Sequence, residues 1–145
     1  MTDNDLFYVC ALVETVARKT QNRRGVVVQA LGIRGITKQL KDAPVNHCLS
    51  FEQVSTEIIE GYSIPVGSFD TISKCKYTIP SAQDIGKLYA ILVEAMRDDK
   101  SVPERVLALF SSPISDAISD FSTDMYYQNP DYLLCCYEEG RVLPD

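Results

Sequence analysis

The chain has 145 residues and a hydrophobic fraction of 46%, which suits one globular domain around one core. Its 14 lysines and arginines against 20 aspartates and glutamates give a net charge of −6, which disfavours non-specific binding to DNA or to an anionic membrane. No apolar run approaches the roughly 20 residues that span a bilayer, and the acidic start lacks the basic region of a secretory signal. We therefore expect a single cytoplasmic domain over residues 1–145.

The first predicted helix covers 3–19. Asp3 and Asp5 lie near its start, and Arg18 and Lys19 near its end, as the helix dipole favours. Its apolar side chains fall on one helical face: Leu6, Val9, Cys10, Val13, Val16 and Ala17. This face predicts a helix that packs against the core along its whole length.

Two short helices are predicted on either side of Gly32. Apolar residues at helical spacing indicate one helix over 26–31 and another over 33–40. Gly32 occupies the position at which a left-handed residue often ends a helix. We expect 41–49 to be a loop because it contains Pro44.

Ser50 opens the next predicted helix, because Ser50 and Gln53 have the spacing of a capping box, and Gly61 ends it. From 62 to 80 the helical pattern disappears and Pro65 indicates a turn. Apolar and polar residues alternate near 74–79, which is typical of a short strand. We expect at most a small two-stranded β element near 68–79.

Capping signals also predict the later helices. Their starts are marked by Ser81 with Asp84, Ser101 with Glu104, Ser112 with Pro113, and Asn129 with Pro130. The helix that starts at Ser112 is expected to continue to Met125. The last helix is expected to end at Gly140. The predicted fold is therefore mainly α, a single-domain bundle of about seven helices.

Positive charge is concentrated between Arg18 and Lys41, where seven lysines and arginines occur without an acidic residue. Two short helices joined at a glycine, with a cationic outer face, have the outline of a helix-turn-helix. The simpler interpretation is a helical hairpin whose cations are solvated. If the stretch binds nucleic acid, the expected contacts are Arg23, Arg24, Arg34, Lys38 and Lys41.

Negative charge recurs near the C-terminus, where Asp116, Asp120 and Asp124 are four residues apart on a predicted helix. Like charges at this spacing destabilise a helix by roughly 0.2–0.5 kcal/mol per pair, so helix stability does not explain them. One interpretation is an acidic surface, extended by Tyr126 and Tyr127, that binds a basic partner. The other is pairing within the fold, with Arg105, Arg141 or the basic stretch.

The sequence favours neither catalysis nor a metal site. His47 is the only histidine, and the adjacent Cys48 is poorly placed to face it as a dyad requires. The five cysteines form no CxxC pair, which fits reduced thiols in the cytoplasm. Phosphate-binding, zinc-protease and serine-hydrolase motifs do not occur. We expect no cofactor and no metal, and an enzyme built on His47 and Cys48 is the least favoured alternative.

Hydrophobic residues in about the first 60 positions follow a particular spacing. The residues that define it are Val27, Val28, Leu31, Gly35, Ile36, Ile58 and Ile59. In this spacing the chain resembles a family of short uncharacterised bacterial helical proteins that are often encoded beside ADP-ribosyltransferase-like toxins. The resemblance implies an antitoxin or accessory role in a bacterium, and it implies no functional residue.

We therefore predict a non-catalytic bacterial interaction protein of the antitoxin or inhibitor kind. Its partner is expected to be a basic protein, such as a toxin. The residues predicted to bind that partner are Asp116, Asp120, Asp124, Tyr126 and Tyr127. The alternative is a helix-turn-helix-like DNA-binding regulator that uses the basic stretch.

Overall fold

The structure, a computed structural model, describes residues 2–144. Within this range the backbone forms seven α-helices and a 3-10 turn at Met125–Tyr127, and it forms no strand. The helices pack around a common hydrophobic core. They are α1 (Asp3–Thr20), α2 (Arg24–Asn46), α3 (Phe51–Gly61), α4 (Ala82–Ala95), α5 (Val102–Phe110), α6 (Pro113–Ser119) and α7 (Pro130–Glu139). The prediction of a mainly α bundle of about seven helices is confirmed.

Helix α1 lies at the centre of the bundle and contacts α4, α2 and α3. All six residues of its predicted apolar face are buried. A capping box holds its start: the Thr2 hydroxyl accepts a hydrogen bond from the Asp5 backbone, and the Asp5 carboxylate accepts one from the Thr2 backbone. Burial on several sides makes α1 the element against which the others are placed.

Helices α1 and α4 form the most extensive helix contact of the bundle, and they approach closely at Gly86. A Cβ atom on residue 86 would lie 2.8 Å from the Cβ and from the backbone nitrogen of Ala11. Carbon and nitrogen atoms do not pack at this distance, so a side chain would push the helices apart. Glycine at this position is therefore required by the packing.

Replacing Gly86 by alanine should lower the free energy of unfolding by about 1–3 kcal/mol, because the new methyl group overpacks the contact with Ala11. Gly61→Ala is the matched control, since a Cβ there meets nothing within 4 Å. That control should be neutral or stabilising by up to about 1 kcal/mol. Urea unfolding of both variants measures the difference, and equal stabilities would contradict the close approach.

Helix α2 departs from the prediction at its C-terminal end. Gly32 interrupts it with φ 67° and ψ 177°, so the predicted break is present. The helix then resumes and continues to Asn46, so the predicted loop over 41–46 is wrong. Its buried side continues through Leu40 and Ala43, and this burial outweighs the cost of Pro44, whose side chain is exposed.

The segment 62–80 is irregular, and no two-stranded element forms in the part of the chain that the structure describes. Its backbone bonds to the corner between α1 and α2 instead of to a second strand. Three hydrogen bonds make this connection: Gly67 N to Thr20 O (2.8 Å), Phe69 N to Gln21 O (2.8 Å) and Asn22 Nδ2 to Pro65 O (2.7 Å). Alternation alone does not make a strand, because a strand also needs a partner, and the irregular segment agrees with the prediction of at most a small β element.

Helix α6 ends at Ser119, so the prediction that it reaches Met125 is wrong. Asp120 leaves the helical conformation, and its carboxylate accepts a hydrogen bond from the backbone of Ser122 (3.2 Å). Such local bonds compete with the helix for the backbone donors. Asp116, Asp120 and Asp124 therefore do not form one stripe along a helix.

A buried ion pair joins α1 to α2. The guanidinium of Arg24 donates to both carboxylate oxygens of Glu14, at 2.8 and 2.5 Å, and both side chains are 1% exposed. Arg18 donates to the same carboxylate at 2.7 Å. Two cations thus compensate one buried anion, and the paired geometry fixes how the two helices meet.

The ion pair determines how Glu14 titrates. Burial by itself would raise the pKa of Glu14, but the hydrogen bonds and positive charges of Arg24 and Arg18 outweigh it, so this pKa is lowered. A carboxyl group with a lowered pKa in the folded state stabilises the fold above its unfolded-state pKa. That contribution is lost as the pH falls through the folded-state value.

Replacing Glu14 by glutamine should lower the free energy of unfolding at pH 7 by about 3–5 kcal/mol, because Arg24 is left buried without its counter-charge. The difference from the unmodified protein should begin to shrink as the pH falls below about 4.3, the unfolded-state pKa of glutamate, and should be lost only once the pH has passed the lower folded-state pKa of Glu14. Urea unfolding at a series of pH values from neutral to acidic measures it. If the difference in the free energy of unfolding did not change with pH, the assignment of a charged Glu14–Arg24 pair would be refuted. Glu60→Gln, at an exposed position, is the control variant.

Candidate functional site

Asp116 is paired within the fold. Its carboxylate lies 2.8 Å from the guanidinium of Arg23, and both side chains are partly exposed. Arg23 also lies over the ring of Phe69, 4.7 Å from its centroid. The interpretation that the acidic residues face the basic stretch is thus confirmed for Asp116.

Of the three predicted acidic residues, Asp124 is the one whose carboxylate has no partner in the described part of the chain. The turn before it is held by Thr123, whose hydroxyl donates to the Asp120 carbonyl at 2.9 Å and accepts from the Met125 backbone at 3.3 Å. The Asp124 carboxylate makes no hydrogen bond or ion pair within the part of the chain that the structure describes. Asp120 bonds only to Ser122 through its carboxylate. Both acids are exposed.

A surface groove of about 350 Å³ lies between the end of segment 62–80 and the turn after α6. We call it the acidic–aromatic groove. Tyr77 and Tyr127 are exposed aromatic members, at 68% and 66%, while Phe121 is buried. Its lining residues are Tyr77, Thr78, Phe121, Ser122, Thr123, Asp124 and Tyr127. The groove therefore combines one free carboxylate with two accessible phenol rings.

The ring of Tyr127 is supported by Tyr126, with centroids 4.9 Å apart in an edge-on arrangement. Tyr126 is half-buried. Its burial raises its pKa, and the negative charge of Asp84 raises it further. Asp84, at the start of α4, thus adds to the negative potential on this side of the groove. The phenol of Tyr127 is held by its neighbour and open to solvent.

The two remaining C-terminal tyrosines belong to the packing of α7. Tyr132 and Tyr137 are half-buried against the hydrophobic core. The hydroxyl of Tyr132 donates to the carbonyl of Leu143, which holds the segment after α7. These contacts are structural, so they leave Tyr126 and Tyr127 as the tyrosines near the acidic surface.

The basic stretch is largely used inside the fold. Arg24 is buried with Glu14, which contradicts its prediction as a nucleic-acid contact. Arg23 pairs with Asp116, and Lys38 pairs with Asp42 at 2.5 Å. Arg34 and Lys41 are exposed and make no ion pair within the described residues. Two free cations are much less than the five-residue basic face that the sequence predicted.

His47 and Cys48 do not form a catalytic pair with the geometry of a dyad. His47 ends α2, and its ring packs against Tyr8 with centroids 4.4 Å apart. Cys48 and Cys135 are exposed, the other cysteines are buried or half-buried, and all five are free. Among the described residues, no group of three or more histidine, cysteine, aspartate or glutamate side chains is placed to hold a metal ion.

Tyr77 and Phe121 belong to the groove and were not predicted as site residues. Tyr77 lies in the segment whose alternation is typical of a strand, and Phe121 lies within the part of the predicted helix to Met125 that is not helical in the structure. The sequence signals that mark their segments are the turn-forming residues at 67–68, earlier in the segment that contains Tyr77, and those at 120–124, around Phe121. These signals place both on loops, but they do not bring the two loops together.

Comparison with protein-family models, curated proteins and solved structures gives no match for this chain. The resemblance over the first 60 residues therefore stays a prediction. Most of the residues that define it, including Val27, Val28 and Ile36, are buried, so their spacing is accounted for by core packing. No helix in residues 2–144 is long and apolar enough to cross a membrane.

The contrast between Asp116 and Asp124 can be measured through stability. Arg23→Gln and Asp116→Asn, combined in a double-mutant cycle, should show a coupling of up to about 1 kcal/mol, as partly exposed ion pairs do. Asp124→Asn should change the free energy of unfolding by less than about 0.5 kcal/mol. A clear loss of stability in Asp124→Asn would mean that its carboxylate has a partner within the fold.

Proposed function

We propose that this chain is a non-catalytic binding protein of the antitoxin or inhibitor kind, and that it holds a basic protein at the acidic–aromatic groove. The observation that carries the proposal is the free carboxylate of Asp124 beside the exposed rings of Tyr77 and Tyr127. Tyrosine is enriched in protein interfaces, and an exposed aromatic surface of this kind marks a candidate contact site, at which the unpaired carboxylate would select a basic partner.

An arginine of the partner fits this groove best. Its planar guanidinium can form two hydrogen bonds with the Asp124 carboxylate and stack on the Tyr127 ring. The Asp124 carboxylate has no competing hydrogen bond or ion pair within the described residues, and the Tyr127 ring, held edge-on by Tyr126, is still 66% exposed. Asp120 and Asp84, close to the groove, add negative charge that attracts a basic surface from a distance. The net charge of −6 acts in the same direction.

DNA binding is the alternative function, and it now depends on Arg34 and Lys41. Each phosphate contact contributes to a steep fall of affinity with salt, so a protein with two such contacts binds weakly at physiological ionic strength. The other three predicted DNA contacts are already engaged within the fold, because Arg24 is buried and Arg23 and Lys38 are paired with aspartates. The groove is therefore the better-supported site.

The proposal is tested by capture from a lysate of the source cell on the immobilised full-length chain. We expect one basic protein to bind the unmodified chain. Replacing Asp124 by lysine, or Tyr127 by alanine, should reduce its retention at least about tenfold, because the partner's cation then loses its counter-charge or its aromatic contact. The bound protein is identified and quantified by mass spectrometry.

Asp99→Lys is the matched control, because it changes the net charge equally at an exposed position between α4 and α5. Retention that falls equally in Asp99→Lys and Asp124→Lys would indicate non-specific electrostatic binding and contradict the proposal. Retention of nucleic acid that is lost in Arg34→Glu and Lys41→Glu, with no protein bound, would favour the DNA alternative instead.

A further inference from the structure

A second surface groove, of about 510 Å³, lies where the start of α1, the C-terminal half of α2 and the start of α5 meet. We call it the three-helix groove, and its lining includes Asp5, Leu40, Lys41, Val102 and Pro103. Its volume lies within the range of small-molecule sites. It shares no lining residue with the acidic–aromatic groove, so the function proposed for that groove makes no use of it.

Most of the three-helix groove is lined by apolar side chains. Leu40 is buried, Val102 and Pro103 are half-buried, and Pro44 is exposed. A short aliphatic group that packs on these side chains leaves water on several sides, which favours binding. The groove therefore suits a ligand with a small aliphatic body.

Asp5 supplies a carboxylate oxygen that the fold leaves unused. The residue is only 5% exposed, and its Oδ2 accepts a hydrogen bond from the Thr2 backbone at 2.9 Å. Its Oδ1 makes no hydrogen bond or ion pair within the described residues, yet it is not shielded from solvent. Because Asp5 lines the three-helix groove, this free oxygen can accept a hydrogen bond from a donor that binds there.

Lys41 supplies the opposite charge. Its side chain is exposed and makes no ion pair within the described residues. Asp5 and Lys41 are the charged members of the lining, and no ion pair joins them, so two opposite charges border one cavity without neutralising each other. The flexible stem of a lysine lets its ammonium group follow a carboxylate that is placed between the two charges.

We propose that the three-helix groove binds an aliphatic α-amino acid in its zwitterionic form. Its ammonium group donates to Oδ1 of Asp5, its carboxylate accepts from the Lys41 ammonium group, and its side chain packs on the apolar lining. Such a ligand carries one charge of each sign, which matches an anion and a cation that do not meet. A ligand with a single charge would satisfy one of these two groups and leave the other without a partner.

Leucine is a suitable probe, and two of its analogues each lack one charge: isocaproate has no ammonium group and isoamylamine has no carboxylate. Titration of the full-length, ¹⁵N-labelled chain with leucine should give saturable NMR shifts at the backbone amides around Asp5, Lys41 and Val102. Each analogue should bind at least about tenfold more weakly, because it loses one charged hydrogen bond. Absence of saturable shifts with leucine up to roughly 10 mM, or equal affinity for either analogue, would overturn the proposal.

Two variants test the two charges separately. Lys41→Gln should lower the affinity for leucine to that for isoamylamine, because the carboxylate of the ligand then has no counter-charge. Asp5→Asn should likewise lower the affinity for leucine to that for isocaproate. Asparagine keeps an oxygen that can accept the hydrogen bond from Thr2, so the start of α1 remains capped. A change that only disturbed the fold would weaken the binding of all three compounds alike.

Lys87→Gln is the matched control, because Lys87 is exposed on α4 and lies outside the three-helix groove. This variant should bind leucine as the unmodified chain does, and it should discriminate equally against both analogues. Unchanged affinity for leucine in Lys41→Gln or in Asp5→Asn would refute the proposal. Shifts that centre on Tyr127 would also refute it, since they would place the ligand in the acidic–aromatic groove.

Thermal unfolding gives an independent readout. A ligand that binds the folded state raises its Tm, so leucine should raise the Tm of the unmodified chain and of Lys87→Gln. At the same concentration it should leave the Tm of Lys41→Gln nearly unchanged. An equal rise in Lys41→Gln would show that Lys41 does not hold the ligand, and it would contradict the proposal.

Discussion

The ion pair between Glu14 and Arg24 is the interaction on which the arrangement of the other elements depends. It joins α1 to α2 inside the core, where a single unpaired charge is strongly destabilising. Glu14 also orients Arg18, which donates to the carbonyl of Pro80 at 2.6 Å and lies 5.2 Å from the centroid of the Phe121 ring. One buried carboxylate therefore links the α1–α2 corner to the end of segment 62–80 and to the buried side of the acidic–aromatic groove.

Counting charges along the chain gave a misleading picture of its surface. The stretch from Arg18 to Lys41 looks like a basic arm in the sequence, yet Arg18 and Arg24 neutralise Glu14, and Lys19 bonds to Glu52 on α3. The residues of this stretch hold helices together, and few of them face solvent without a partner. The acidic side chains differ among themselves in the same way, since Asp116 is paired while Asp124 is free. The proposed function rests on the charges that remain unpaired.

Local signals in the sequence were sufficient for the helix starts. Ser81 and Ser101 each form the capping box that their spacing predicts, and Ser50 accepts the predicted hydrogen bond. The errors arose where a distant contact decides the outcome. Pro44 remains helical because the opposite side of α2 is buried, and Phe69 bonds to Gln21 rather than to a strand. The acidic–aromatic groove joins residues more than 40 positions apart, and periodicity within one segment cannot place two segments together.

The hydrogen bonds that anchor segment 62–80 also have a consequence for folding. Their acceptors, the carbonyls of Thr20 and Gln21, reach their final positions only after α1 and α2 have met, and more than 40 residues of chain separate them from Gly67 and Phe69. Closing a loop of that length costs entropy before any contact offsets it, so we expect this segment to settle late in folding. Tyr77, near its end, is then placed beside Tyr127 only in the finished molecule. The groove between them is absent from the unfolded chain, so a partner of the proposed kind would select the completed fold.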